Sequence, residues 1–90
     1  MTRSQLFAQA LSGCQRLLAT YPAHPPLQSA VAQLEYLIAL ESGARSDRHQ
    51  LRDINIGLLT VRELEVLDPE LADTLYAVSE QAELMSRDSK

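Results

Sequence analysis

Apolar side chains recur at steps of three and four residues in four stretches of the chain, and each stretch ends at prolines, a glycine or a polar run. In the first stretch Leu6, Phe7, Ala10, Leu11, Cys14, Leu17, Leu18 and Tyr21 form one stripe, which is the spacing of an amphipathic helix. Thr2 and Gln5 stand where a capping box would open it, the hydroxyl accepting from one free N–H and the amide reaching back to another. "YPAHPP" at residues 21–26 closes it, because proline removes a donor and restricts the residue before it. Pro25 and Pro26 then sit where a second helix can begin, proline being tolerated in a first turn. Its stripe is Leu27, Ala30, Val31, Leu34, Leu37 and Ile38, and Gly43 is its stop. Ser46 or Asp47, at the end of a polar connection, is placed to cap a third helix.

The third stretch is ambiguous. "DINIGLLTV" at residues 53–61 alternates like a strand, between flanks that look helical. No other segment offers a partner strand. At 100° per residue, Leu51, Ile54, Leu58, Val61 and Leu64 cluster on one side, with Ile56, Leu59, Val66 and Leu67 opposite. The spacing therefore predicts a helix buried on two faces. Gly57 in its interior costs about 1 kcal/mol relative to alanine, a cost that close approach by a neighbouring helix would offset. The last stretch opens with Asp68 as N-cap, Pro69 at the first helical position and Glu70 beside the positive end of the dipole. Leu71, Leu75, Val78, Ala82 and Met85 make its stripe, and the tail, residues 86–90, is expected to fray.

These elements predict an all-α fold: a small antiparallel bundle of four helices joined by short turns, the third helix most central. The expected spans are 3–20, 26–42, 47–67 and 69–86, in one domain covering 1–90. Ninety residues suffice for one small core, burying about 60–65% of the unfolded surface. The formal charge of −4 argues against a nucleic-acid partner, since phosphate binding needs clustered Lys and Arg. It is compatible with a basic protein partner. No apolar run is long enough to be a signal peptide or a membrane span, and a single cysteine fits a reducing compartment. The expectation is a cytoplasmic protein with no membrane partner.

Catalytic chemistry is not legible in these residues. His24 and His49 lie in or beside connections with no ligand partners at metal spacing. Cys14 lies on a core stripe, where a free cysteine acts as a small hydrophobe. Glu63 and Glu65 are two apart on a helix and diverge, and three scattered glycines build no phosphate loop. No catalytic, cofactor or metal residue is assigned, and an enzyme is not expected. What remains is surface. Ser29, Gln33, Tyr36 and Leu40 form a strip opposite the core stripe of the second helix. Asp73, Tyr76 and Glu80 form an acidic row around an aromatic ring on the fourth, with Glu83 beside it. Each tyrosine either lies along a neighbouring helix or presents a ring and a polar tip to a partner.

The order of motifs resembles a known family. Tyr21–Pro22 closes the first helix, "LQSAVAQLEYLI" at 27–38 carries Gln33, Leu34 and Tyr36, and Asp47–Arg48 follows. Then come Gly57, Val61 with the pair Arg62–Glu63, and "DPEL" at 68–71. Together, over residues 17–75, they resemble the small helical immunity proteins that protect bacteria from a type VI secretion toxin, an NAD(P)+ glycohydrolase. The resemblance implies a non-enzymatic inhibitor that needs no cofactor. Such a protein binds its toxin domain and covers the nucleotide pocket. Helix phase and motif match together nominate Gln33, Tyr36, Leu40, Arg62, Glu63, Asp73, Tyr76 and Glu80 as partner-binding residues, with Tyr36 as anchor. Two other classes stay open: a helical adaptor or secretion chaperone for an effector, and a homodimer pairing its exposed stripes.

Overall fold

The computed structural model of the chain describes residues 1–88, and among them the regular structure is helical throughout, with no strand. Helix α1 runs Arg3–Thr20, α2 Pro25–Ser42, α3 Ile56–Leu59 and α4 Pro69–Arg87. A 3-10 turn, His49–Asp53, precedes α3, and a π-helical turn, Thr60–Leu64, continues it.

The helix ends are built by the residues whose chemistry suits them. The Gln5 amide donates to Thr2 Oγ1 at 3.1 Å and the Thr2 amide donates to Gln5 Oε1 at 2.8 Å, which completes the capping box. Gly43 ends α2 at φ 86°, the left-handed region where a Cβ would strain the backbone. The Leu71 amide donates to Asp68 Oδ1 at 3.1 Å, with Pro69 beginning α4. His24 caps α2: its Nδ1 accepts from the Leu27 amide at 3.3 Å.

Cross-helix contacts set the directions. Arg3, at the start of α1, donates through Nε to Gln81 near the end of α4 at 2.9 Å and pairs with Glu41 at the end of α2 at 3.3 Å. Gly13, further along α1, meets Leu71 at the start of α4. So α1 runs antiparallel to both. Phe7, Leu27, Leu34, Leu37, Ile56, Leu64, Leu75 and Met85 fill the space between the helices, all fully buried. The five apolar positions expected on α4 are all buried, and Ser86 and Arg87 remain helical at its end. The expected fraying of Ser89 and Lys90 lies outside the described residues.

The third element departs from expectation. A continuous helix over 47–67 is replaced by the 3-10 turn, four α-helical residues and the π turn. Arg48 stands at the start of the 3-10 turn and no side chain caps it, so neither Ser46 nor Asp47 has the capping role. The buried side chains are Leu51, Ile56, Thr60 and Leu64, whereas Leu58 is 51% and Val61 59% exposed. The assignment of Leu58 and Val61 to one buried face, and of Val66, 83% exposed, to the other, is therefore corrected. A uniform 100° phase cannot describe a segment broken at Ile54–Asn55 and widened at Thr60. Thr60 itself is fully buried and donates through Oγ1 to the Ile56 carbonyl at 2.8 Å, a back-bond that satisfies its hydroxyl inside the helix. The Glu65 amide reaches the Thr60 carbonyl at 2.9 Å, five residues back, which defines the π turn. Nor is this element the most central one. It packs on α4 and α2, which are themselves both packed on α1.

Gly57 is explained by that packing. A Cβ built on it would lie 2.7 Å from Ser79 Oγ and 3.3 Å from Ser79 Cβ, so the glycine lets α3 approach α4 at the backbone. Gly57→Leu is expected to lower stability by about 1–3 kcal/mol through overpacking, read as a shifted denaturant midpoint. An unchanged midpoint would mean the Ser79 contact does not hold the two elements together.

Candidate functional site

The groups able to do covalent or metal chemistry are occupied or dispersed. Among the described residues no three of His, Cys, Asp and Glu are grouped to hold a metal. Cys14 is fully buried, and burial pushes its thiol up to about 11, far from the thiolate needed for nucleophilic work. His24 is spent on the α2 cap. What the molecule offers a partner is surface.

On α2, the connection that follows the helix folds back over the strip expected to be free. Tyr36 is 6% and Leu40 7% exposed. The Tyr36 hydroxyl donates to the Asp47 carbonyl at 2.7 Å, and the Arg45 guanidinium lies 4.7 Å above its ring. Arg45 also donates through Nε to Asp47 Oδ1 at 2.8 Å, and that hydrogen bond holds the Asp47 carboxyl below the usual range. Burial first, then the nearby Asp47 charge, raises the Tyr36 phenol. Tyr36 is thus a structural clasp, not an exposed anchor. Gln33 is engaged as well. Its Nε2 donates to Asn55 Oδ1 at 2.6 Å and to Ser29 Oγ at 3.0 Å, and its Oε1 accepts from the Asn55 amide at 2.9 Å. That pairing fixes the entry to α3. The expected strip therefore turns inward because a polar-looking connection covers it.

The remaining nominated residues gather elsewhere. Arg62 and Glu63 are exposed on the π turn, and Asp73 and Glu80 are exposed on α4. Tyr76 is half-buried on α4, three residues after Asp73 and four before Glu80, and it lies close enough to Glu65 to feel its charge. Burial, and after it the Glu65 and Asp73 charges, raises its phenol above the ordinary value. Gly57 against Ser79 and Glu65 against Tyr76 show that α3 with its π turn runs antiparallel along this side of α4. The structure so brings Arg62, Glu63, Asp73, Tyr76 and Glu80 onto adjoining elements, apart from the clasp made by Gln33, Tyr36 and Leu40. It adds Leu58 and Val61, the exposed aliphatic side chains of the same ridge. Nothing in their own chemistry marked them in the sequence as exposed.

A model of the family described as Tsi6 matches residues 2–83 of the chain. A Pseudomonas aeruginosa protein, immune protein Tsi6, is 33% identical over 75 residues, which are 83% of this chain and 80% of that protein. The structure of Tsi6 from Pseudomonas aeruginosa is similar at a TM-score of 0.84 and 30% identity, over 91% of this chain and 95% of that one. A chain in the structure of Tse6 in complex with Tsi6 reaches a TM-score of 0.91 at 30% identity, over 98% of this chain and 94% of that one.

Two measurements check the geometry of the clasp and of the buried thiol. Tyr36→Ala is expected to cost about 3–5 kcal/mol, as for a large buried ring, while Tyr36→Phe costs about 1 kcal/mol for the lost hydrogen bond. Denaturant melts of the two variants distinguish the contributions, and a Tyr36→Ala variant as stable as the parent would place the ring outside the core. Iodoacetamide at pH 8 is expected to leave Cys14 unmodified in the native protein and to alkylate it in denaturant. Rapid labelling of the native chain would contradict its burial.

Proposed function

The chain belongs to the Tsi6 family, and we propose that it is the immunity partner of a bacterial toxin, neutralising it by binding and not by chemistry. The observation that carries this reading is the match over nearly the whole chain to a chain solved in a complex of Tse6 with Tsi6. The features of the site support it. A compact helical surface with no grouped metal ligands among the described residues and a buried cysteine has the means to bind a protein, whereas turnover would need positioned acids, bases or nucleophiles. The chain itself turns over no NAD(P)+ in this reading.

The resemblance carried by Tyr21–Pro22, Gln33–Leu34–Tyr36, Gly57, Arg62–Glu63 and "DPEL" extends the proposal to the toxin's class. The toxin is an NAD(P)+ glycohydrolase delivered by type VI secretion, and the chain covers its nucleotide pocket so that the dinucleotide cannot enter. Such a toxin acts on the cytoplasmic pool of NAD(P)+, so the protector works in the cytoplasm. No helix among the described residues is long and apolar enough to cross a membrane, which accords with that location. The net charge of −4 favours a basic toxin face, since opposite charge speeds encounter and disfavours wrong partners.

Expression of the toxin domain encoded beside this chain is expected to deplete NAD(P)+ and arrest growth, and co-expression of the chain to restore both. The purified chain alone should leave NAD(P)+ intact. A stable complex that leaves the toxin active would turn the reading into that of an adaptor or secretion chaperone.

A further inference from the structure

Three of the exposed large apolar side chains, Leu58, Val61 and Val66, fall within nine consecutive residues, at exposures of 51%, 59% and 83%. Isolated apolar residues on a surface need no explanation, but a cluster on one element marks a contact face. This cluster follows from how α3 is seated. Ile56, Thr60 and Leu64 point into the core, so Leu58, two residues after Ile56, must point away from it. Val61, the second residue of the π turn, is turned to solvent as well. The π turn begins at Thr60 and carries Val61 and Arg62 outward. Such turns recur at functional sites.

The neighbouring surface of α4 is acidic. Asp73 and Glu80 flank Tyr76, and Glu65 comes close to Tyr76 from the π-turn side. An apolar centre with an aromatic edge and a charged rim, in which Glu63, Glu65, Asp73 and Glu80 outnumber Arg62, is the anatomy of a protein interface. Its charge selects the occupant. A two-fold pairing with a second copy would bring the same patch to itself, setting one predominantly acidic rim against another. A cationic face has no such repulsion.

We propose that the ridge of α3 and its π turn, with the Asp73–Tyr76–Glu80 row of α4, is the surface that docks onto a basic face of the toxin. Leu58 and Val61 form its desolvated centre and the carboxylates its steering rim. The proposal rests on the immunity reading above and names the face that carries it out. Tyr36, Gln33 and Leu40 act only through the fold.

The test uses the full chain and the toxin domain encoded beside it, with association and dissociation rates read by surface plasmon resonance. Replacing Leu58→Asp together with Val61→Asp is expected to weaken binding by about thirtyfold or more, mainly through faster dissociation. Asp73→Lys with Glu80→Lys should slow association by about tenfold at low salt, and the difference should shrink as salt is added. Tyr21→Asp, at an aromatic 42% exposed on the α1–α2 turn, is the control and should change neither rate. All these positions are exposed, and thermal melts near that of the parent confirm intact variants. Should the apolar pair fail to fold, the charge-reversal pair decides alone. If the parent binds and both ridge variants bind as it does, the ridge is not the interface, although the immunity reading survives. If the parent does not bind the toxin domain at all, both readings fall. A mass doubling of the chain alone that Leu58→Asp with Val61→Asp abolishes would make the ridge a homodimer contact and overturn the proposal.

Discussion

The close approach of α3 to α4 at Gly57 is the contact on which the rest of the third element depends. With Ser79 against the glycine backbone, α3 can lie on α4 with Ile56, Thr60 and Leu64 turned inward. Every other side chain of the segment then has its direction decided, because a helix couples neighbouring positions rigidly. Leu58 and Val61 are driven out to solvent, although nothing in their chemistry favours it. The Gln33–Asn55 hydrogen bonds hold the entry to this segment, and the Tyr36–Arg45–Asp47 clasp ties down the connection before it. Packing against one small residue thus propagates into the character of an exposed face.

What was legible in the sequence followed from local chemistry. Thr2 with Gln5, Gly43, and Asp68 with Pro69 each act where their side chains or backbone freedom place them. The α4 stripe from Leu71 to Met85 was readable because that helix is long, regular and buried on one face. The third element was not readable, since a 3-10 turn and a π turn break the constant phase on which periodicity arguments rest. Tyr36 and Leu40 were misplaced for a different reason. Their helix phase is as expected, but the polar stretch after Gly43 folds back and covers a second face of α2, and only tertiary contacts reveal that. Of the nominated interface, the α4 row and the Arg62–Glu63 pair stay on the surface, while the α2 group belongs to the fold.

If the ridge is the docking face proposed above, the two kinds of residue divide the work between stability and recognition. The clasp and the helix caps spend their hydrogen bonds within the molecule, so changing them acts first on folding. The ridge leaves about half or more of the Leu58 and Val61 side chains in solvent. An inhibitor that acts by covering a pocket needs that separation: a rigid scaffold loses little entropy on binding, and an uncommitted face can be fitted to one partner. On the proposed reading, sequence change confined to the ridge would alter which toxin is recognised while leaving the bundle intact.

Hydrogen–deuterium exchange of the chain, alone and bound to the toxin domain, tests that division most directly. The account predicts new protection confined to residues 57–66 and 73–80, with no change at the α1–α2 turn or across the α2 clasp. Protection centred on residues 20–25 or on 33–47, with the ridge exchanging as in the free chain, would contradict it.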